Sequence, residues 1–151
     1  MSSESDRTAP PVEILLVEDN LGDARLTREA LKEGKVYNNL HWVKDGVEAL
    51  DFLHKRGKHK DAPKPDIILL DLYLPKKDGR EVLQEIKSDP KLQRIPVVVL
   101  TTSKAEEDVL KTYQLHANCY VTKPVDLEQF IKVVRSIDNF WLTVVTLPNG
   151  K

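Results

Sequence analysis

The sequence has 151 residues, of which 40% are hydrophobic and 31% are charged, a composition typical of a single globular domain. Its 23 lysines and arginines against 24 aspartates and glutamates leave a formal net charge of -1, so the charge balance does not point to a nucleic acid or an anionic membrane as a partner. Cys119 is the only cysteine, which excludes an internal disulfide and favours a reducing, cytoplasmic setting. Residues 1–11 are polar and end in two prolines, and we expect a disordered lead-in rather than a signal peptide or a membrane span.

Five short apolar runs predict five β-strands. Most of these runs are almost wholly apolar, as strands buried on both faces of a sheet are. The second run alternates between polar and apolar residues, which is typical of a strand near the edge of a sheet. The predicted strands comprise residues 13–17, 40–43, 67–70, 95–100 and 118–122.

Segments with helical periodicity follow the strands. The first predicted helix comprises residues 20–33 and stops at Gly34. We expect Leu26, Ala30 and Leu31 to lie on its inner side. The other four predicted helices begin close to residues 46, 79, 105 and 125.

Strict alternation of strands and helices predicts an α/β fold, a doubly wound five-stranded parallel sheet with five helices on its two faces. Flavodoxin-like folds of this kind have the strand order 2-1-3-4-5, and we adopt that order from the fold group rather than from the sequence. We expect one domain over residues 12–138 and a C-terminal extension and tail over residues 139–151.

Polar residues follow four of the five predicted strands. Glu18 and Asp19 follow the first strand, Asp71 the third, Thr101 the fourth and Lys123 the fifth. Because the carboxyl ends of parallel strands lie along one edge of a sheet, we expect these five side chains to meet in one crevice. Each residue alone is equally well explained as a helix cap or a surface residue, but their joint occurrence argues against coincidence.

The chemistry of these five residues suits phosphoryl transfer. Three carboxylates held close together repel one another unless a cation joins them, and an all-oxygen site of this kind suits Mg²⁺. Lys123 offers a compact positive charge, and Thr101 a hydroxyl group, to an anion held opposite the metal. We therefore predict phosphoryl transfer onto Asp71, with catalysis by positioning and electrostatics.

At these residues the chain resembles the receiver domain of two-component response regulators. The resemblance covers roughly residues 14–137. The segments that carry it are Glu18-Asp19, residues 45–50, residues 71–79 with Pro75, residues 96–101 and Lys123-Pro124.

The resemblance implies a role for each residue of the crevice. Asp71 would accept the phosphoryl group from a sensor histidine kinase. Asp19, Asp71 and the main-chain carbonyl of Tyr73 would bind Mg²⁺ directly, and Glu18 would hold a metal-bound water. Lys123 would bind the phosphoryl group.

The resemblance also implies how the domain signals. Thr101 and Tyr120 would form the switch pair, and the Lys123-Pro124 peptide bond would be cis. Because no DNA-binding or enzymatic output segment is visible in the sequence, we expect a single-domain regulator that catalyses only its own phosphorylation and dephosphorylation.

Three further stretches resemble the regulators that are paired with cyanobacterial phytochromes. They lie at residues 74–83, at residues 94–103 and near the end of the chain, at residues 140–142 and 145–148. This resemblance implies that the cognate sensor kinase is of the phytochrome type.

Three other functions are compatible with parts of the pattern. A haloacid-dehalogenase-type phosphatase also uses a strand-end aspartate, but it needs a second aspartate where Tyr73 stands. A flavodoxin-like electron carrier needs a phosphate-binding loop after the first strand, where Glu18 and Asp19 would repel the phosphate. A receiver-like binding module that is never phosphorylated is the third alternative.

The last predicted helix has two lines of apolar residues. The line expected to face the core comprises Leu127, Phe130, Ile131, Val134, Ile137 and Trp141. The second line, on another side of the helix, comprises Val133, Phe140 and Val144, and the tail adds Leu142, Val145 and Leu147. We predict a homodimer through this helix and tail, the alternative being a tail that folds back on its own domain.

Overall fold

The computed structural model describes residues 11–33, 37–102 and 119–135. The strands are β1 (Val12–Val17), β2 (Asn38–Val43), β3 (Ile67–Asp71), β4 (Val97–Thr101) and β5 (Cys119–Thr122). The helices in the described ranges are α1 (Leu21–Glu33), α2 (Gly46–Leu53), α3 (Gly79–Ser88) and α4 (Leu127–Arg135), with a 3₁₀ turn at Gly57–His59. The predicted helix at residues 105–115, the stop at Gly34 and the C-terminal tail lie outside the described residues.

The five strands form one parallel sheet in the order β2-β1-β3-β4-β5. This arrangement confirms the doubly wound, flavodoxin-like α/β fold. Asp71 pairs in register with Leu100, and Thr101 pairs with Thr122, so the carboxyl ends of the central strands finish at nearly the same level. The polar residues that follow these strands therefore lie at one edge of the sheet.

The sheet is buried on both faces because its central strands carry apolar side chains at nearly every position before their carboxyl ends. On one face, Leu15, Ile68 and Val99 pack in a cluster with residues of α2 and α3. On the other face, Leu16 and Leu69 pack in a cluster with residues of α1 and α4. Alternation of side chains along each strand produces these two half-cores.

The helix boundaries follow from capping residues that the sequence displays. Asp45 caps α2 by accepting a hydrogen bond from the main-chain N–H of Glu48 at 2.8 Å. Asp78 caps α3 in the same way, accepting from the N–H of Arg80 at 2.8 Å. The third helix ends at Ser88, before the extended Asp89 that precedes Pro90, as expected for a residue before proline.

The predicted inner face of α1 is partly wrong. Leu26 is 52% exposed, and the buried residues of the helix are Ala24, Thr27 and Leu31. Thr27 can be buried because its hydroxyl donates to the main-chain carbonyl of Asp23 at 3.0 Å, which satisfies its polar group inside the helix. The apolar stripe therefore includes a threonine, and Leu26 lies on the solvent side.

Within the described ranges, no helix is both long enough and apolar enough to cross a membrane.

Candidate functional site

Three carboxyl groups meet where β1 and β3 end. Glu18 directly follows β1 and is fully buried, Asp19 is exposed, and Asp71 closes β3 with 5% exposure. One carboxylate oxygen from each of the three lies within 4.8 Å of the other two. The structure therefore brings together the three carboxyl groups of the predicted metal site, Glu18, Asp19 and Asp71, and their oxygen atoms are the donor type that Mg²⁺ prefers.

Lys123 reaches into this group from the end of β5. Its Nζ lies 3.1 Å from Glu18 Oε1, 3.1 Å from Asp71 Oδ2 and 3.0 Å from Asp23 Oδ2. Its main-chain N–H donates to the carbonyl of Thr101 at 2.7 Å, and its peptide bond to Pro124 is cis. Lys123 is thus held in the crevice through both its side-chain ammonium and its backbone.

The electrostatics of the crevice are dominated by negative charge. Burial, followed by the neighbouring Asp71 carboxylate, raises the pKa of Glu18 to about 7. Burial lowers the pKa of Lys123, but the carboxylates of Asp23, Asp71 and Glu18 outweigh it and raise that pKa overall. In the described part of the crevice the Lys123 ammonium faces more carboxylates than it can neutralise, so a divalent cation fits both the donor set and the charge.

Asp23 is a described residue of the site that the pattern of strand ends does not predict. That pattern singles out residues that directly follow a strand, whereas Asp23 lies in the first turn of α1. The sequence signal for Asp23 is its position five residues after Glu18. The start of α1 lies at the same edge of the sheet as the end of β1. An acidic residue in the first turn of that helix can reach the crevice.

Thr101 and Tyr120 lie on the neighbouring strands β4 and β5. Thr101 is fully buried, and its Oγ1 has no hydrogen-bond partner among the residues that the structure describes. Tyr120 is half-buried and packs against the half-core that contains α2 and α3. A buried hydroxyl without a partner is costly, so the Thr101 hydroxyl is available to an incoming acceptor.

The loop after β3 is held by hydrogen bonds that main-chain N–H groups donate. The N–H of Tyr73 donates to Asp71 Oδ1 at 2.9 Å, while the Tyr73 side chain is 55% exposed. The N–H of Gly79 donates to the carbonyl of Leu72 at 2.9 Å. A Cβ atom at Gly79 would lie 2.4 Å from Leu72 Cα and 2.5 Å from the main-chain oxygen of Asp71, so only glycine lets α3 approach this closely.

The edge strand β2 also contacts the crevice. The indole N–H of Trp42 donates to the main-chain carbonyl of Glu18 at 2.7 Å. The ammonium of Lys44 lies 5.3 Å from the centre of the Trp42 ring. The backbone of Glu18 is therefore fixed from β2.

Residues 14–135 match the response regulator receiver domain family. The chain belongs to this family. The receiver domain is 54% identical over 144 residues to the response regulator Rcp1 of Synechocystis sp., an alignment that covers 95% of this chain and 98% of Rcp1.

Solved receiver structures share the fold of this chain. The bacteriophytochrome response regulator AtBRR is 44% identical, with a TM-score of 0.83 over 88% of this chain and 96% of AtBRR. The Mn²⁺-bound form of Rcp1 is 54% identical, with a TM-score of 0.70 over 91% of this chain and 99% of that chain. The phosphorylated cyanobacterial phytochrome response regulator RcpA is also 54% identical, with a TM-score of 0.71 over 91% of this chain and 99% of RcpA. The predicted likeness to phytochrome-associated regulators is confirmed.

Proposed function

We propose that this receiver domain accepts a phosphoryl group on Asp71 from a sensor histidine kinase in a Mg²⁺-dependent reaction, and that phosphorylation switches a protein-interaction surface. The observation that carries the proposal is the position of Asp71. Its buried carboxylate ends the central strand within 3.1 Å of the Lys123 ammonium and beside the carboxylates of Glu18 and Asp19.

The metal ligands are proposed from the same cluster. Asp19, Asp71 and the main-chain carbonyl of Tyr73 would hold Mg²⁺, and Glu18 would hold a water bound to it. When bound, the ion supplies positive charge that offsets the carboxylates and the oxygens of the transferred group. The oxygen donor set supports this assignment, as does the Mn²⁺-bound structure of the relative Rcp1.

The proposed transfer forms one bond to phosphorus and breaks one. A carboxylate oxygen of Asp71 forms a bond to phosphorus while the bond from phosphorus to the kinase histidine nitrogen breaks, and its electron pair stays on that nitrogen. Lys123 donates a hydrogen bond to one phosphoryl oxygen, and Thr101 donates to another. Since each contact strengthens as negative charge gathers on the transferred oxygens, positioned donors are sufficient for catalysis.

We propose a phytochrome-type kinase as the phosphoryl donor. This proposal is supported by the 54% identity to Rcp1 and by the likeness to bacteriophytochrome response regulators. We also propose that the domain works in the cytoplasm, acts on no substrate besides itself and binds no nucleic acid, in line with its net charge of -1.

Purified protein should gain one phosphoryl group from acetyl phosphate when Mg²⁺ is present, as read from its intact mass. Chelation of the divalent ion should abolish the gain, because the crowded carboxylates then repel the anionic donor. A phytochrome-type kinase loaded with labelled phosphate should transfer faster than an unrelated histidine kinase at equal concentration. Absence of labelling from every donor would favour a receiver-like module that is never phosphorylated, and labelling that survives chelation would remove the metal from the mechanism.

Thr101→Ala should accept the phosphoryl group yet signal poorly. We propose that Thr101 moves to the phosphoryl group and that the Tyr120 ring enters the space it leaves. Moving a two-state equilibrium from mostly off to mostly on takes about 5.5 kcal/mol, and charge-assisted hydrogen bonds contribute roughly 1.5–3 kcal/mol each. Phosphorylation-dependent partner binding should therefore weaken in Thr101→Ala, with Thr102→Ala as the matched control. Normal switching in Thr101→Ala would refute the coupling.

We propose a homodimer through the last helix and the tail. Phe130 is buried and Ile131 packs partly on the core, so the first apolar line of the helix is engaged within the domain. The second line and the tail lie outside the described side chains, and their sequence supports an interface. Sedimentation should show a dimer for the full chain and a monomer for a chain that ends at Asp138. A full-length protein that stays monomeric at tens of micromolar, with and without phosphoryl donor, would contradict the proposal.

A further inference from the structure

We propose that Asp23 is a positioning residue for Lys123: it holds one N–H of the ammonium at the mouth of the crevice, so that the phosphoryl group arriving at Asp71 meets a lysine already in place. This inference rests on the proposed phosphorylation of Asp71. It adds a residue from helix α1 to a site otherwise built from the ends of strands.

The first support is the number of contacts that Lys123 makes. An ammonium group has three N–H donors and no acceptor. Three carboxylate oxygens, one each from Glu18, Asp23 and Asp71, lie 3.0–3.1 Å from Lys123 Nζ. Glu18 and Asp71 therefore accept from two N–H groups of Lys123, and Asp23 accepts from the third. The lysine is held from three directions.

The second support is the rigidity of the Asp23 backbone. The N–H of Asp23 donates to Asn20 Oδ1 at 2.9 Å, at the start of α1. Its carbonyl accepts from the hydroxyl of Thr27 at 3.0 Å, and Thr27 is buried. Because both main-chain groups are bonded, the carboxylate of Asp23 projects from a fixed point.

The third support is that Asp23 serves the lysine and not the carboxylate cluster. Among the described residues, the carboxylates close enough to one another to share a metal ion are those of Glu18, Asp19 and Asp71. The side chain of Asp23 is 34% exposed, whereas that of Lys123 is 12% exposed. Asp23 thus anchors the lysine from the solvent side, opposite the buried Glu18 and Asp71.

This geometry gives Asp23 a defined part in the transfer. In the transfer, a bond from phosphorus to the Asp71 oxygen forms, and the bond to the leaving group breaks and leaves its electron pair on that group. The N–H of Lys123 that donated to Asp71 then donates to a phosphoryl oxygen. The contact between Lys123 and Asp23 does not need to change. Without Asp23, the long lysine side chain regains rotational freedom, and fewer of its conformations face the phosphoryl oxygen.

The test compares Asp23→Ala, Asp23→Glu and Glu29→Ala, in the full chain. Alanine removes the carboxylate at a helical position without harming the helix, and glutamate restores it on a longer arm. Glu29→Ala removes the same charge from an exposed position on the same helix. The readouts are the maximal rate of labelling at saturating Mg²⁺ and acetyl phosphate, the half-saturating Mg²⁺ concentration, and the NMR signals of the Lys123 ammonium protons.

We expect the maximal rate to fall about tenfold in Asp23→Ala, with less than a threefold change in half-saturating Mg²⁺, and with faster solvent exchange of the Lys123 ammonium protons. Asp23→Glu should partly restore the maximal rate and partly slow the ammonium exchange again. Glu29→Ala should match the wild type. An unchanged rate and unchanged ammonium signals in Asp23→Ala would overturn the proposal, as would an equal loss in Glu29→Ala. If the wild type itself takes no label, the proposed phosphorylation fails, and the ammonium signals alone decide whether Asp23 holds Lys123.

Discussion

Asp71→Asn is expected to abolish phosphoryl incorporation. The substitution keeps the shape of the side chain but replaces the carboxylate with a neutral amide, which is too weak a nucleophile to form the bond to phosphorus. It also removes the negative charge that faces the Lys123 ammonium at 3.1 Å. Among the described residues, Asp71 alone is a carboxylate at the tip of the middle strand, β3, so we expect no substitute acceptor. Labelling by acetyl phosphate and by a loaded kinase, read from intact mass, measures the effect.

Folding of the Asp71→Asn variant should be preserved. Glu18 is fully buried beside Asp71, and repulsion from Asp71 contributes to the raised pKa of Glu18. Loss of the charge at residue 71 relieves that repulsion, which offsets part of the lost contact with Lys123. Asp61→Asn, at an exposed loop position, is the matched control and should be labelled normally. Equal labelling of Asp71→Asn and the control would defeat the assignment of the acceptor.

Gly79→Ala is expected to destabilise the domain by about 3 kcal/mol, because overpacking against atoms that cannot move is among the costly single substitutions. The added Cβ would meet Leu72 Cα at 2.4 Å and the main-chain oxygen of Asp71 at 2.5 Å. Neither atom belongs to a side chain that could rotate away. Either α3 must retreat or the end of β3 must shift, and a shift of β3 would displace the Asp71 carboxylate from Lys123. We therefore expect slower labelling as well as lower stability.

Urea unfolding of Gly79→Ala beside Gly22→Ala measures this effect. Gly22 is exposed in the first turn of α1, and its nearest contact for a Cβ is the Asn20 Oδ1 atom, at 3.2 Å. That side chain can move by a few tenths of an ångström, so we expect the Gly22→Ala stability to stay within about 0.5 kcal/mol of the wild type. Similar stabilities for the two alanine variants would contradict the close approach of α3 to β3.

The strands and their polar ends were predictable because each depends on local pattern. A buried parallel strand must be apolar on both faces, so Asp71 stands out as the residue that ends such a run. The strand order was not derivable from the same pattern, because nothing local in the sequence says which strands are neighbours. The strand order typical of the fold group predicts it, and the sheet agrees with that order.

The residues of α1 that the sequence does not predict correctly depend on how the helix is rotated about its own axis. The helical pattern predicts Leu26 on the inner side, whereas Thr27 is buried instead, with its hydroxyl bonded to the Asp23 carbonyl. Asp23 was missed for a related reason, since its part in the crevice depends on where the first turn of α1 points. Both outcomes need the packing of α1 on the sheet, which the sequence of the helix does not contain.

The hydrogen bond from Trp42 to the Glu18 carbonyl gives the crevice a natural fluorophore. Indole emission depends on the partner of its N–H group and on nearby charge, and here the N–H partner is the backbone of a candidate metal-site residue at 2.7 Å. The sequence contains two tryptophans, so a Trp141→Phe chain would emit from Trp42 alone. Occupancy of the crevice by an ion or a phosphoryl group could then be followed in real time by optical titration and stopped flow, on the unlabelled protein.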